Sequence, residues 1–127
     1  MSAPLVDYDY AVVRLVPHVH LETFVNVGVV LHARQRRFLG VRLRRDHVAA
    51  ACPDLPLARF ARFLDAYECV CAGGAEAGAL GLLPPSERFH WLTAPRSAVL
   101  QCSAVHGGRS ADPAATLEAL FREYVAG

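Results

Sequence analysis

The side chains best suited to chemistry are concentrated between Pro84 and Ser97. This stretch holds the single tryptophan of the chain together with one histidine, two arginines, two serines and one threonine. It lacks strong periodicity, so we predict a loop, with a short helical turn capped by Ser86. Polar residues of defined type in a loop between rigid elements indicate function. Its candidate binding residues are Arg88, His90, Trp91, Thr93, Arg96 and Ser97.

The end of this stretch favours anion recognition. Pro95 forces Ala94 into an extended conformation, so we predict a turn from Thr93 to Ser97. Such a turn can present hydroxyl groups, the Arg96 guanidinium and free backbone N–H groups to a phosphate or a carboxylate. We expect the turn to recognise an anion or a partner protein.

A structural role for the same arginines is the alternative. Arg88 and Arg96 can pair with carboxylates such as Glu22 and Glu87, while Trp91 fills the core. All 13 basic residues of the chain are Arg. A GC-rich genome accounts for that bias, although Arg also suits bidentate recognition of carboxylate and phosphate. Both roles therefore stay open.

Histidine is the commonest general base and metal ligand, so its positions matter. His18 and His20 would share one face at a strand end, close to Glu22, whereas His90 and His106 lie in the loop and at the end of a later strand. None of the spacings typical of zinc sites occurs, and the helical His-Glu-x-x-His motif is absent. We therefore predict exposed or hydrogen-bonded histidines, no metal site and no cofactor.

Familiar catalytic signatures are absent. There is no nucleophile elbow, phosphate-binding loop, dinucleotide-binding turn or kinase catalytic loop, and the lack of Lys excludes Lys nucleophiles and Schiff bases. Asp7 and Asp9 form a possible carboxylate pair, but an edge-protecting or turn role is commoner at the start of a strand. A classical enzyme is not favoured, and the question of catalysis stays open.

Composition predicts one soluble domain over residues 1–127. The chain is 54% apolar and 20% charged, with a formal charge of +1, so net charge favours neither nucleic acid nor an anionic membrane. No apolar run reaches the roughly 18 to 20 residues of a membrane span. Four cysteines without a secretion signal indicate a reduced, cytoplasmic environment and free thiols. These are Cys52, Cys69, Cys71 and Cys102.

Alternation of β-branched and apolar residues predicts an antiparallel meander of three strands, followed by helices, a fourth strand and a last helix. The fold class is therefore α+β, a two-layer domain in which an antiparallel four-stranded sheet packs with two or three helices. Gly28 predicts a bulge or a close backbone approach in the second strand. The strands are Tyr8–Val16, Phe24–Leu31, Phe38–Arg44 and Ser97–Val105; the helices run from about Leu57 to Gly73-Gly74 and onward from Asp112-Pro113.

Four blocks of sequence resemble the bacterial domain-of-unknown-function family 3037: Tyr8–Arg14, Glu22–Leu31, Ser86–Ser97 and Gln101–His106. The similarity runs from about Asp7 to Tyr124. The family has no assigned activity. The resemblance does imply a partner, because members are often encoded beside a kinase-like protein similar to the HipA toxin kinases. An accessory or regulatory subunit is therefore plausible.

Two functions follow from these observations. The first is an interaction module that binds a partner protein through the sheet edge and the Trp91 loop, because Trp and Arg are enriched at binding hot spots. The second is a small enzyme or ligand-binding domain for a phosphate- or carboxylate-bearing molecule. A flat apolar patch around Trp91 would favour the first, and a closed pocket the second. That pocket would join Glu22, Asn26, Arg88, His90, Thr93, Arg96, Ser97 and His106, and we expect Glu22, Asn26, Arg88, His90 and Arg96 to converge in space.

Overall fold

The computed structural model describes residues 4–16, 24–46, 57–94 and 100–126. Within these ranges, an antiparallel sheet carries helices on both of its faces, together with two 3₁₀ segments and a π-helical turn. The strands are β1 (Val6–Leu15), β2 (Val25–Ala33), β3 (Phe38–Leu43), β4 (Leu100–Cys102) and β5 (His106–Ser110); the helices are α1 (Leu57–Ala72), α2 (Pro85–Thr93) and α3 (Pro113–Phe121); the 3₁₀ segments are Arg34–Arg36 and Ala75–Leu82, and the π-helical turn is Arg122–Ala126.

The sheet has the order β3-β2-β1-β4, and β5 also pairs with β1. The predicted meander of the first three strands is confirmed. A bulge interrupts the pairing of β1 with β2 after Val13, which lies opposite Gly28. A Cβ atom at Gly28 would lie 2.6 Å from the carbonyl oxygen of Arg42, so only glycine allows β3 to approach this closely. The irregularity predicted at Gly28 is therefore confirmed.

Of the fourth predicted strand, Ser97–Val105, the described part forms the short strand β4, and a further strand that was not predicted, β5, follows it; both pair with β1. Gly107 and Gly108 belong to β5 and lie opposite Asp9 and Tyr8. A Cβ atom at Gly108 would lie 2.5 Å from the Tyr8 ring. Glycine is therefore needed here for close packing within the sheet.

The α+β class and the antiparallel sheet are confirmed, but the helices cover two faces, so the expected two layers become three. Helices α1 and α2 pack with Val30 on one face, whereas α3 packs with Val29 and Leu31 on the other. All three of these β2 residues are fully buried. A central strand that is apolar on both sides requires a helical layer on each.

The helix ends follow local sequence signals. Helix α3 begins after Asp112, whose carboxylate accepts a hydrogen bond of 3.2 Å from the Ala115 N–H, with Pro113 in the first turn. Helix α1 ends before Gly73, which has a left-handed φ of +80°. Among the described residues, no helix is long and apolar enough to cross a membrane.

Candidate functional site

The segment from Pro85 to Thr93, expected to be a loop, is helix α2, and it begins after Pro84 without a side-chain cap. Phe89 and Leu92 are three residues apart and therefore lie on one face of this helix, where both are buried in the core. That anchoring directs the other side chains of α2 towards three different surroundings.

Arg88 holds α2 against the end of α1. Its guanidinium donates hydrogen bonds to the backbone carbonyls of Val70 (3.1 Å), Cys71 (2.6 Å) and Leu83 (3.0 Å). Carbonyls at a helix C-terminus lack partners within the helix, and a cation satisfies them well. Arg88 therefore caps α1, in place of the carboxylate or anion partner expected from the sequence.

An apolar cavity of about 210 Å³, which we call the β4 cavity, opens between α1, α2 and β4. The Tyr67 hydroxyl on its wall donates to the Leu92 carbonyl at 3.1 Å, and the Cys102 thiol lies 3.4 Å from the same carbonyl. The Phe63 side chain is 41% exposed. The residues that line the cavity are Phe63, Ala66, Tyr67, Val70, Trp91, Leu92, Ala94, Leu100, Gln101 and Cys102.

The end of α2 borders a second cavity, of about 330 Å³, where His90 and Thr93 face the segment from Cys102 to Val105. The Thr93 hydroxyl donates to the Phe89 carbonyl at 2.9 Å, within its own helix. The structure therefore places His90 and Thr93 at the same cavity, although the Thr93 hydroxyl is already engaged in a hydrogen bond within its own helix.

Asn26 and His106 lie on the opposite face of the sheet from α2. The Asn26 amide donates to the Tyr124 carbonyl at 3.2 Å, and the Tyr124 hydroxyl lies 3.1 Å from that of Tyr10. The His106 ring contacts Tyr10 at a centroid distance of 5.6 Å. Because His90 extends from α2 on the other face, the expected convergence of Asn26 with His90 is wrong. Glu22, Arg96 and Ser97 lie outside the described residues.

This tyrosine pair also affects ionisation. The hydrogen bond between Tyr10 and Tyr124, followed by burial, raises the pKa of Tyr10 to about 12. Beside the pair, the buried Oδ1 atom of Asn26 has no hydrogen-bond partner in the described part of the chain, and neither has the buried Nε atom of Arg14. The Arg14 guanidinium instead lies over the Phe24 ring, 4.2 Å from its centroid.

A polar groove, which we call the His32 groove, lies on the α1/α2 side of the sheet, near the start of β1. It has a volume of about 560 Å³ and is lined by Asp7, Asp9, His32, Arg34 and Gln35. Asp9 lies opposite His32 in the sheet. The His32 ring is only 7% exposed and stacks on Phe89 at a centroid distance of 5.4 Å.

Sequence reasoning noticed Asp7 and Asp9 but missed His32. The second strand was predicted to end at Leu31, and a single histidine after an apolar run carried no visible signal. Strand registry supplies that signal, because the side chains of paired residues project from the same face. Extending the predicted strand by one residue would have placed an imidazole beside a carboxylate.

The three described cysteines do not form a metal site or a disulfide. Cys69, Cys71 and Cys102 are free thiols. Burial raises the pKa of the Cys71 thiol to about 12, so it is a structural residue rather than a nucleophile. Across the ranges that the structure describes, no group of three or more His, Cys, Asp or Glu side chains is placed to hold a metal ion.

Comparison with known proteins identifies the family. The model of a family described as "Protein of unknown function (DUF3037)" matches residues 10–125. The chain belongs to this family. No curated protein and no solved structure matches the chain. The DUF3037 match begins at Tyr10, within β1, and runs past the end of α3, so the sheet apart from the first four residues of β1 lies in the matched region together with both helical layers.

Membership of DUF3037 confirms the resemblance found in the sequence, and it assigns no activity. Three cavities lined by described residues bear on function. The β4 cavity and the His32 groove adjoin the same helix, α2, through Leu92 and Phe89. Their chemistry differs, and they support different functions.

Proposed function

We propose that this chain is an interaction module that docks an extended segment of a partner protein beside β4. The observation that carries the proposal is the apolar β4 cavity, which is bordered by an edge strand of the sheet. Trp91 and Phe63 lie at this border, and aromatic residues of this kind are enriched at binding hot spots. The proposal keeps the sheet edge and Trp91 as the binding elements that the sequence suggested.

The chemistry of the cavity favours an apolar occupant. Its Tyr67 hydroxyl and Cys102 thiol already contact the Leu92 carbonyl. An incoming polar group would therefore lose its hydration without gaining an obvious new partner. A bulky aliphatic or aromatic side chain fits better, since burial of apolar surface is favourable.

The edge of the sheet favours an extended conformation for the occupant. Among the described strands, β4 pairs only with β1, so its outer edge faces away from the sheet. A partner segment that adds a strand there would form main-chain hydrogen bonds, and alternate side chains would point to the cavity side. Main-chain pairing would supply affinity, and the cavity would supply specificity.

The alternative, a domain that binds a phosphate or carboxylate through the predicted arginine and histidine residues, has weaker support. Arg88 is engaged by three backbone carbonyls. Asn26 and His106 are separated from His90 and Thr93 by the sheet. No closed pocket joins these residues within the described ranges.

The kinase-like neighbour implied by the family resemblance is the first partner to test. Purified HipA-like kinase would be titrated with wild-type protein and with Ala66→Trp by calorimetry. Ala66 is exposed at the cavity wall, so the indole blocks the cavity without disturbing the core. We expect the substitution to weaken binding by at least about tenfold, the scale of one lost hot-spot contact.

The matched control is Ala119→Trp, which adds the same ring to an exposed position of α3, on the opposite face. It should bind like wild type. Equal binding by Ala66→Trp and wild type would reject the cavity as the docking site. If the kinase does not bind wild type at all, the kinase is rejected as partner, and a displayed peptide library counter-selected with Ala66→Trp would then test the surface itself.

A further inference from the structure

The His32 groove has the dimensions of a small-molecule site. Its volume of about 560 Å³ lies within the range of roughly 300 to 1,000 Å³ typical of ligand pockets. Asp9 faces it from β1 and His32 from β2, while Arg34 and Gln35 follow on the turn into β3. Regular strands and a tight turn therefore fix the positions of its polar groups.

His32 is the deepest polar group of the groove. The residue is more than nine-tenths buried, and one face of its ring stacks on Phe89. Within the described residues, neither ring nitrogen has a hydrogen-bond partner. An imidazole that lines an open groove without a protein partner can form its hydrogen bonds with water or with a bound ligand.

Two opposite charges flank this imidazole. Asp9 acts to raise the pKa of His32 and Arg34 acts to lower it, so both groups lie close to the ring. Burial is the largest influence and lowers the pKa, which leaves the imidazole neutral at pH 7, with one donor and one acceptor nitrogen.

Asp9 and Arg34 are exposed side chains without a protein partner among the described residues. Asp7 pairs with Arg109 at 3.0 Å on the rim of the groove. No ion pair of Asp9 or Arg34 occurs within the part of the chain that the structure describes. The groove therefore offers one carboxylate and one guanidinium, both available to a ligand.

We propose that the His32 groove binds a small zwitterion, a molecule that carries both an ammonium group and a carboxylate group, such as a free amino acid. The ammonium group would bind Asp9 and the carboxylate would bind Arg34, while His32 and Gln35 would recognise a polar substituent. Phosphate esters fit less well, because the two aspartates repel them. The lining residues include no Ser, Thr, Cys or Lys nucleophile.

The test is a thermal-shift and NMR titration with each standard free amino acid. For any amino acid that binds, the N-acetyl derivative and the decarboxylated amine are matched probes that lack one charge each. We expect binding of the zwitterion to shift the His32 resonances, and both single-charge probes to bind at least about tenfold more weakly, the scale of one charge-assisted hydrogen bond. Asp9→Asn and Arg34→Gln should lose affinity by a similar factor.

Arg37→Gln is the control, because Arg37 is exposed on the same turn and does not line the groove. The proposal is overturned if no amino acid perturbs His32, if the N-acetyl derivative binds as well as its parent, or if Arg37→Gln weakens binding as much as Arg34→Gln. The result is independent of partner docking, which uses the β4 cavity.

Discussion

The β4 cavity and the His32 groove adjoin the same helix but treat their polar groups in opposite ways. In the cavity, the Tyr67 hydroxyl is bonded to a backbone carbonyl. In the groove, the His32 ring nitrogens, the Asp9 carboxylate and the Arg34 guanidinium have no such partner within the described residues. The first site has its polar groups bonded within the protein and offers apolar surface, whereas the second presents its polar groups to solvent.

Helix α2 lets one small domain present two surfaces of different chemistry. Helix α2 packs Leu92 beside the cavity and Phe89 against the His32 ring. Arg88, between these residues in the sequence, ties the helix to the end of α1. The helix is therefore the common support, and the sites can be altered separately only if that support is intact.

Loss of Arg88 should have the largest effect, because it removes the shared support. Arg88→Ala leaves the carbonyls of Val70, Cys71 and Leu83 without their charged donor. We expect the free energy of unfolding to fall by about 2 to 3 kcal/mol, the scale of hydrogen bonds to a charged group. Chemical denaturation measures this fall.

Arg62→Ala, at an exposed position of α1, is the control for that measurement and should change stability little. Arg88→Lys should not restore stability, because one ammonium group cannot reproduce the forked guanidinium contacts. Wild-type stability in Arg88→Ala, with lost binding, would instead make Arg88 a recognition residue.

Removing one polar group from each site should change stability in opposite directions. His32→Phe keeps a ring against Phe89 and removes two unpaired nitrogens, so the free energy of unfolding should rise by about 1 kcal/mol. Tyr67→Phe removes a buried donor from the Leu92 carbonyl and should lower stability by about 1 kcal/mol. Denaturant titration of both variants checks this contrast, and a loss of stability in His32→Phe would show that the imidazole is a structural group.

Much of the fold could be predicted because its signals are local. The three-strand meander, the end of α1 at Gly73 and the start of α3 at Asp112 all follow from periodicity and capping residues. The third layer was not predicted, although the apolar run of β2 already required cover on both faces. Helix α2 was missed because only Phe89 and Leu92 mark its buried side.

The candidate site was harder to predict, because it depends on which face of the sheet each residue occupies. The bulge after Val13 changes the face on which Asn26 lies, so that Asn26 contacts Tyr124 while α2 carries His90 on the other side. Arg88 was chosen for its charge, and its capping role depends on how α1 and α2 meet. Such contacts arise from tertiary packing, which residue type and spacing do not encode locally.

The smallest expected effect is a pH dependence of stability that comes from His32 in the groove. Burial lowers the pKa of His32 below its ordinary value of 6.5, Asp9 opposes this shift, and Arg34 adds to it. The unfolded chain therefore takes up the proton first, so the contribution of the neutral imidazole to stability is complete above pH 6.5 and is lost as the pH falls towards the folded-state pKa.

Melting temperatures between pH 7.5 and about 5 should fall less steeply in His32→Phe than in wild type. Asp9→Asn removes the carboxylate that favours the imidazolium, so it should extend the loss to lower pH. Equal slopes in wild type and His32→Phe would mean that water or a bound molecule already forms hydrogen bonds with the imidazole in the folded protein. The contrast between the two sites would then disappear.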